Sequence, residues 1–171
     1  KEINKTMWTI IKFDKNNLSF LKKEFKKKLG EDLEVYAPKL SVERFIKNKL
    51  TKKEFNLLGD YIFFFHKEFK NQNVINTLKF TKGLKCFLGG FVESQDQIET
   101  FIKRCKDCEN KEGYLTQNFF EVQRNLNYKF TSGPFAEMIF KIIDLQKNKI
   151  NILLGNIKTT IKKEEFLFTP L

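Results

Sequence analysis

Five consecutive apolar residues, Tyr61-Ile62-Phe63-Phe64-Phe65, bracketed by Gly59-Asp60 and His66, restrict this chain more than any other stretch. The run is short and bulky at even and odd positions alike. A strand built from it carries apolar side chains on both faces, so it belongs in the middle of a sheet and not at its edge. It falls far short of the roughly 20 apolar residues that span a bilayer.

The flanking patterns supply the rest of that sheet. Trp8-Thr9-Ile10-Ile11-Lys12-Phe13 is rich in β-formers and reads as a first strand. Leu18, Leu21, Phe25 and Leu29 then recur at helical spacing, with Lys22, Lys23, Lys26, Lys27 and Lys28 on the other side and Gly30 placed to stop the helix. Leu33 to Tyr36 reads as a second strand, ended by Pro38. Residues 40–58 alternate apolar and cationic without a clear period, and are expected to form a hairpin with a basic tip around Lys47-Asn48-Lys49 and Lys52-Lys53. A short helix is expected after Asn73, then a strand over Leu84–Leu88. A third helix is signalled by Ser94 and Gln97 as a capping box, with Ile98, Phe101, Ile102 and Cys105 on one face. The front half therefore runs β-α-β-β-β-α-β-α, an α+β arrangement.

Residues 106–118 lack periodicity and contain Gly113, which reads as a linker. Beyond it short strands are expected at Leu126–Phe130, Met138–Leu145, Lys149–Leu154, Ile157–Lys162 and around Phe166-Leu167-Phe168. Turns at Ser132-Gly133-Pro134, Gln146–Asn148 and Gly155-Asn156 separate them. Five short strands in so few residues point to a small SH3-like barrel, which removes its own edges by closing. Ile139, Ile142, Ile143 and Gln146 also satisfy a helical spacing, so that hairpin has two readings.

Of 171 residues 41% are hydrophobic and 31% charged, the make-up of a soluble globular chain with enough apolar mass for a core. Lys1 to Thr6 hold no apolar h-region, so no signal peptide is read and a cytoplasmic location is expected. The net charge is +11, and the first 105 residues carry most of it, with 22 Lys and Arg against 13 Asp and Glu. Such a front half attracts polyanions, nucleic acid foremost, although Lys, Asn, Ile and Phe are abundant throughout, as codon bias alone would produce. The three cysteines, Cys86, Cys105 and Cys108, form no disulfide framework. Cys105 and Cys108 make a lone C-x-x-C at the end of a helix, and a zinc site would need Cys86 and His66, the single histidine, to converge on it. Unpaired thiols and no metal are expected. No Gly-rich phosphate loop, paired carboxylate motif or nucleophile–base pattern is present, so neither catalysis nor a cofactor is expected.

Taken in order, several segments resemble the bacterial NusG/RfaH family. Met7-Trp8-Thr9-Ile10-Ile11, "EVYAPKL", "GDYIFFF" at 59–65 and "TKGLKCFLGG" at 81–90 are similar to successive parts of its N-terminal (NGN) domain. "SGPFAEMIFKIID" and "INILLGNIKTTIKKEEF" are similar to its KOW motif, and the turn Gly133-Pro134-Phe135 opens that motif. The resemblance implies an NGN-type antiparallel sheet with helices over 1–105, a linker over 106–120, and a C-terminal SH3-like KOW β-barrel over 121–171. It implies a transcription elongation or antitermination factor that binds the RNA polymerase clamp and suppresses pausing. Trp8, Leu57, Leu58 and Tyr61 match apolar positions at or near the polymerase-binding surface. Arg44, Lys47, Lys49, Lys52 and Lys53 match the segment that approaches the non-template DNA strand. The KOW domain would recruit Rho or the ribosomal protein that doubles as NusE; no membrane partner is implied, and a monomer is expected. Three departures favour a specialised paralogue over the general factor. Gly59-Asp60 stands where Pro and Gly or Arg are usual, Glu137 replaces a Gly, and Leu154-Gly155-Asn156 replaces Phe-Gly-Arg. The rival expectation is a KOW-containing RNA- or ribosome-binding protein without polymerase contact.

Overall fold

A computed structural model describes residues 7–116, with 42–46 by backbone alone, together with 135, 138, 139, 141–143, 145 and 146. Six strands and three α-helices are formed over 7–116: β1 (Met7–Phe13), α1 (Leu18–Leu29), β2 (Glu34–Tyr36), β3 (Lys39–Ile46), β4 (Lys49–Asn56), β5 (Tyr61–His66), α2 (Gln72–Leu78), β6 (Leu84–Phe87) and α3 (Gln95–Asp107). The class is α+β, with antiparallel strands. Four strands separate α1 from α2, one more than expected, because the hairpin contributes two. The chain divides into two compact units, Lys1–Ala37 with Asp60–Glu99, and Pro38–Gly59 with Thr100–Leu171.

The first unit holds a sheet of order β2-β5-β1-β6, antiparallel throughout. The apolar run of β5 does lie inside the sheet, paired to β1 on one side and β2 on the other. Its two-residue period sorts the phenylalanines. Ile62 and Phe64, with Ile11 and Phe13 of β1, join Leu21 and Phe25 of α1 and Ile75 and Leu78 of α2 in one core. Phe63 and Phe65 fall on the opposite face, standing opposite Ile10 and Trp8 respectively. The α1 stripe is as the spacing requires, with Leu21 and Phe25 buried and Gly30 capping at φ 111°. Helix α2 starts earlier than expected. Asn71, not Asn73, is its N-cap, and the Asn71 side chain accepts from the Asn73 N–H.

His66 ends β5 and is buried. Its Nδ1 accepts from the Glu68 N–H at 3.1 Å, which leaves the proton on Nε2 for donation to Asp32 Oδ1 at 3.1 Å. That hydrogen bond holds the Asp32 carboxyl below its usual range.

A tight turn at 81–84 leads into β6. The Leu84 N–H bonds the Thr81 carbonyl, and Gly83 sits at φ +95°, where a type II turn requires glycine. A Cβ on Gly83 would lie 2.8 Å from Asn17 Cβ and 2.9 Å from the Asn17 carbonyl oxygen, so backbone would have to yield. Gly83→Ala is accordingly expected to cost about 1–3 kcal/mol, read as a lower urea midpoint at unchanged slope. A stability equal to the native chain's would show that the 81–84 turn is not held against α1.

The C-terminal half departs from expectation where it is described. Phe135, Met138, Ile139, Lys141, Ile142, Ile143, Leu145 and Gln146 are helical, so the strand expected over Met138–Leu145 is corrected to helix. The reason is periodic. Phe135, Ile139, Ile142, Ile143 and Gln146 are buried while Lys141 and Leu145 are exposed, a 3.6-residue pattern that no alternating strand produces. There is no closed barrel among the described residues. The other expected strands, 126–130, 149–154, 157–162 and 166–168, lie outside them, as do Gly133 and Pro134 and all of the expected turns apart from Gln146, which is helical.

Candidate functional site

The hairpin expected from the basic segment is present and regular. Strands β3 and β4 pair through eight consecutive positions, from Lys39↔Asn56 to Ile46↔Lys49. Lys47 and Asn48 close it as a two-residue turn, both at positive φ (51° and 61°), the combination that matches strand twist in type I′ hairpins.

Strand geometry divides the lysines that composition had grouped together. Successive side chains of β4 alternate, so Lys49, Thr51 and Lys53 share one face while Leu50, Lys52 and Glu54 share the other. Lys47, Lys49, Lys52 and Lys53 are all exposed; Arg44 takes the register position opposite Thr51. The second face is already engaged. Glu54 accepts from the Tyr114 hydroxyl at 2.6 Å and pairs with Lys39 at 3.6 Å, and these two partners hold its carboxyl below the usual range. The same bond pushes the Tyr114 hydroxyl up. The exposed cationic edge, with no acidic partner among the described residues, is therefore Lys47, Lys49 and Lys53.

The aperiodic stretch after α3 is what brings Tyr114 there. The Asn110 N–H donates to the Tyr114 carbonyl at 2.8 Å and its side chain accepts from the Glu112 and Tyr114 N–H groups, turning the chain at Gly113. The Leu115 N–H then bonds the Lys39 carbonyl at 2.8 Å, clasping the base of the hairpin. Lack of periodicity here reflects a hydrogen-bonded turn.

Leu57 and Leu58, expected at a docking surface, are fully buried in the second unit. Asn56 shapes their turn: its side chain accepts from the Leu58 N–H at 3.1 Å and donates to the Gly59 carbonyl at 2.8 Å. Gly59, at φ +61°, faces the Gln146 carboxamide so closely that a Cβ would overlap it. Gln146 of the helical C-terminal segment thus lies against the glycine that follows the two leucines. Phe135 is buried in the same unit.

In the first unit Trp8 is only 6% exposed, with its ring at 4.7 Å from Phe65 and edge-to-face with Phe63 at 6.2 Å. Tyr61 is half-buried on the same sheet face, with Lys12 Nζ 5.7 Å above its ring. Gln95 was not singled out from sequence. Its side chain accepts from the Trp8 N–H at 2.9 Å and donates to the Trp8 carbonyl at 2.8 Å, clamping β1 to the start of α3. Its only sequence signal is a polar side chain one position past Ser94, at the start of the helix.

All three cysteines are free thiols, Cys86 exposed and Cys105 and Cys108 buried, and burial pushes the Cys108 thiol up. No group of three or more potential metal ligands is gathered among the described residues. No described helix is long and apolar enough to cross a membrane. No protein-family model matches the chain, and no curated protein matches it significantly in sequence.

Proposed function

We propose that this chain is a transcription elongation or antitermination factor of the NusG/RfaH type, a specialised paralogue that binds the RNA polymerase clamp through its N-terminal domain. The observation that carries the reading is the basic ribbon. In chain order, between the paired strands β2 and β5, the sequence inserts a separate hairpin whose Lys47, Lys49 and Lys53 are exposed; the resemblance aligns this segment with the one that approaches the non-template strand. Lysines set there gain affinity for a displaced single strand by counterion release and need no base readout.

The buried state of Leu57 and Leu58 refines the proposal. Leu57 and Leu58 are buried and Gln146 lies against the adjoining Gly59; in this proposal the helical segment moves away before polymerase binds through the leucines. Recruitment of Rho or the NusE ribosomal protein through a KOW domain belongs to the same proposal. The rival reading, an RNA- or ribosome-binding KOW protein, rests on strands outside the described residues.

The test is binding of the full chain to bacterial core RNA polymerase in moderate salt, beside an Ile142→Asp variant that destabilises the helical segment. Ile142→Asp is expected to bind about tenfold or more tightly than the native chain, with little salt dependence, because the contact is apolar. Tyr61→Ala added to it is expected to lose about tenfold, the scale of one interface anchor. Absence of polymerase binding by native and Ile142→Asp chains alike sinks the proposal.

A further inference from the structure

The exposed aromatic side chains of the first unit lie where neither the core nor the hairpin uses them. Phe20 projects from α1 away from the Leu21–Phe25 stripe and is 45% exposed; Phe80, just past the end of α2, is 89% exposed. The fold brings the segment that follows Phe80 against α1. Lys82 Nζ lies 5.9 Å over the Phe20 ring, and Lys28 Nζ reaches Thr81 Oγ1 at 3.4 Å. The turn at Gly83 is packed on Asn17, and its carbonyl accepts from the Asp14 N–H at 2.8 Å, so the 80–83 segment is pinned along the start of α1.

The charge around these rings is mainly positive. Residues 14–30 and 79–85 contain nine lysines and two acids, Asp14 and Glu24, both half-buried. On α1, Lys23 and Lys27 follow Phe20 at three and seven residues, the spacing of one helix face, and both are exposed, as are Lys79 and Lys82. Exposed phenyl rings set among cations offer two things together, a face for a base to stack on and charge for its phosphates. The exposed apolar groups here are both flat rings with no exposed aliphatic beside them, which favours base stacking over insertion among acyl chains.

We infer that this face is a second nucleic-acid surface, separate from the hairpin, that takes single-stranded RNA or DNA with bases on Phe20 and Phe80 and phosphates on Lys23, Lys27, Lys79 and Lys82. It does not depend on polymerase binding and stands or falls by its own experiment.

That experiment uses the full chain with Lys47, Lys49 and Lys53 changed to Ser, so that the hairpin's exposed cationic edge is removed. Fluorescence anisotropy follows binding of a labelled oligouridylate of about 12 nucleotides, within the site sizes known for stacking platforms. Oligothymidylate and a duplex of equal length serve as comparisons. The hairpin-neutralised chain is expected to bind both single strands better than the duplex. Phe80→Ala is expected to weaken binding about tenfold at unchanged salt slope, since it removes stacking and no charge. Changing Lys27, Lys79 and Lys82 to Ser is expected to reduce the slope of log K on log salt by about 2. Phe80 is too exposed for its loss to disturb the fold. The inference is overturned by no single-strand binding at low salt, by preference for the duplex, or by a Phe80→Ala chain that binds as well as its parent.

Discussion

Phe64→Ala is expected to remove about 3–5 kcal/mol of folding free energy, the usual cost of emptying a buried phenylalanine site. Phe64 has no exposed surface, lies 5.0 Å from the Phe25 ring at a tilt of 49°, and sits at the centre of the sheet with Thr9 paired on one side and Val35 on the other. Against the roughly 5–15 kcal/mol that holds a domain of this kind folded, the loss leaves a large unfolded fraction. The neighbouring residue sets the contrast. Phe65 points to the opposite face, is half-buried and leans on Trp8, so Phe65→Ala is expected to cost clearly less. Urea unfolding of both variants measures the difference. Equal losses would mean that the two faces of β5 are not sorted as the register with β1 requires.

Removing charge from the hairpin is expected to act on binding and leave stability alone. With Lys47, Lys49 and Lys53 changed to Ser, affinity for single-stranded DNA at about 0.1 M salt is expected to fall on the order of 10²-fold, and the salt slope by about 2, as three released counterions imply. Lys52→Ser is expected to do far less, because Lys52 shares its face with Glu54 and the Tyr114 clasp. Composition treats these four lysines as equals; the two-residue period of β4 does not. If Lys52→Ser weakens DNA binding as much as Lys49→Ser does, the working edge of the ribbon has been misassigned.

Much of the fold was legible because periodicity and burial agree there. Leu21 and Phe25 of α1, and Ile98, Phe101, Ile102 and Cys105 of α3, are spaced as helical faces and are buried as such. The apolar block of β5 reads as central because both its faces are covered. The hairpin was legible as a segment but not as a site, since an exposed strand of lysines shows no apolar alternation to reveal its faces. At Ile139, Ile142 and Ile143 two signals conflicted. β-Branched residues favour strands, yet their spacing with Phe135 and Gln146 fits one side of a helix, and burial followed the spacing. The Gln95 clamp on Trp8 was illegible for a different reason. It joins residues 87 apart in the chain through backbone groups, and backbone groups carry no sequence signal.

The division of the chain has a consequence for its synthesis. Pro38–Gly59 belongs with Thr100–Leu171, yet it leaves the ribosome before Asp60–Glu99, which completes the first unit. Tyr114 and Leu115, which clasp the hairpin base, are not made until more than fifty further residues have been added, several seconds at about 5–20 residues per second. During that interval the sheet can close while Leu57 and Leu58 wait in the open. A chaperone that captures nascent apolar segments would find that pair still open after the sheet has closed.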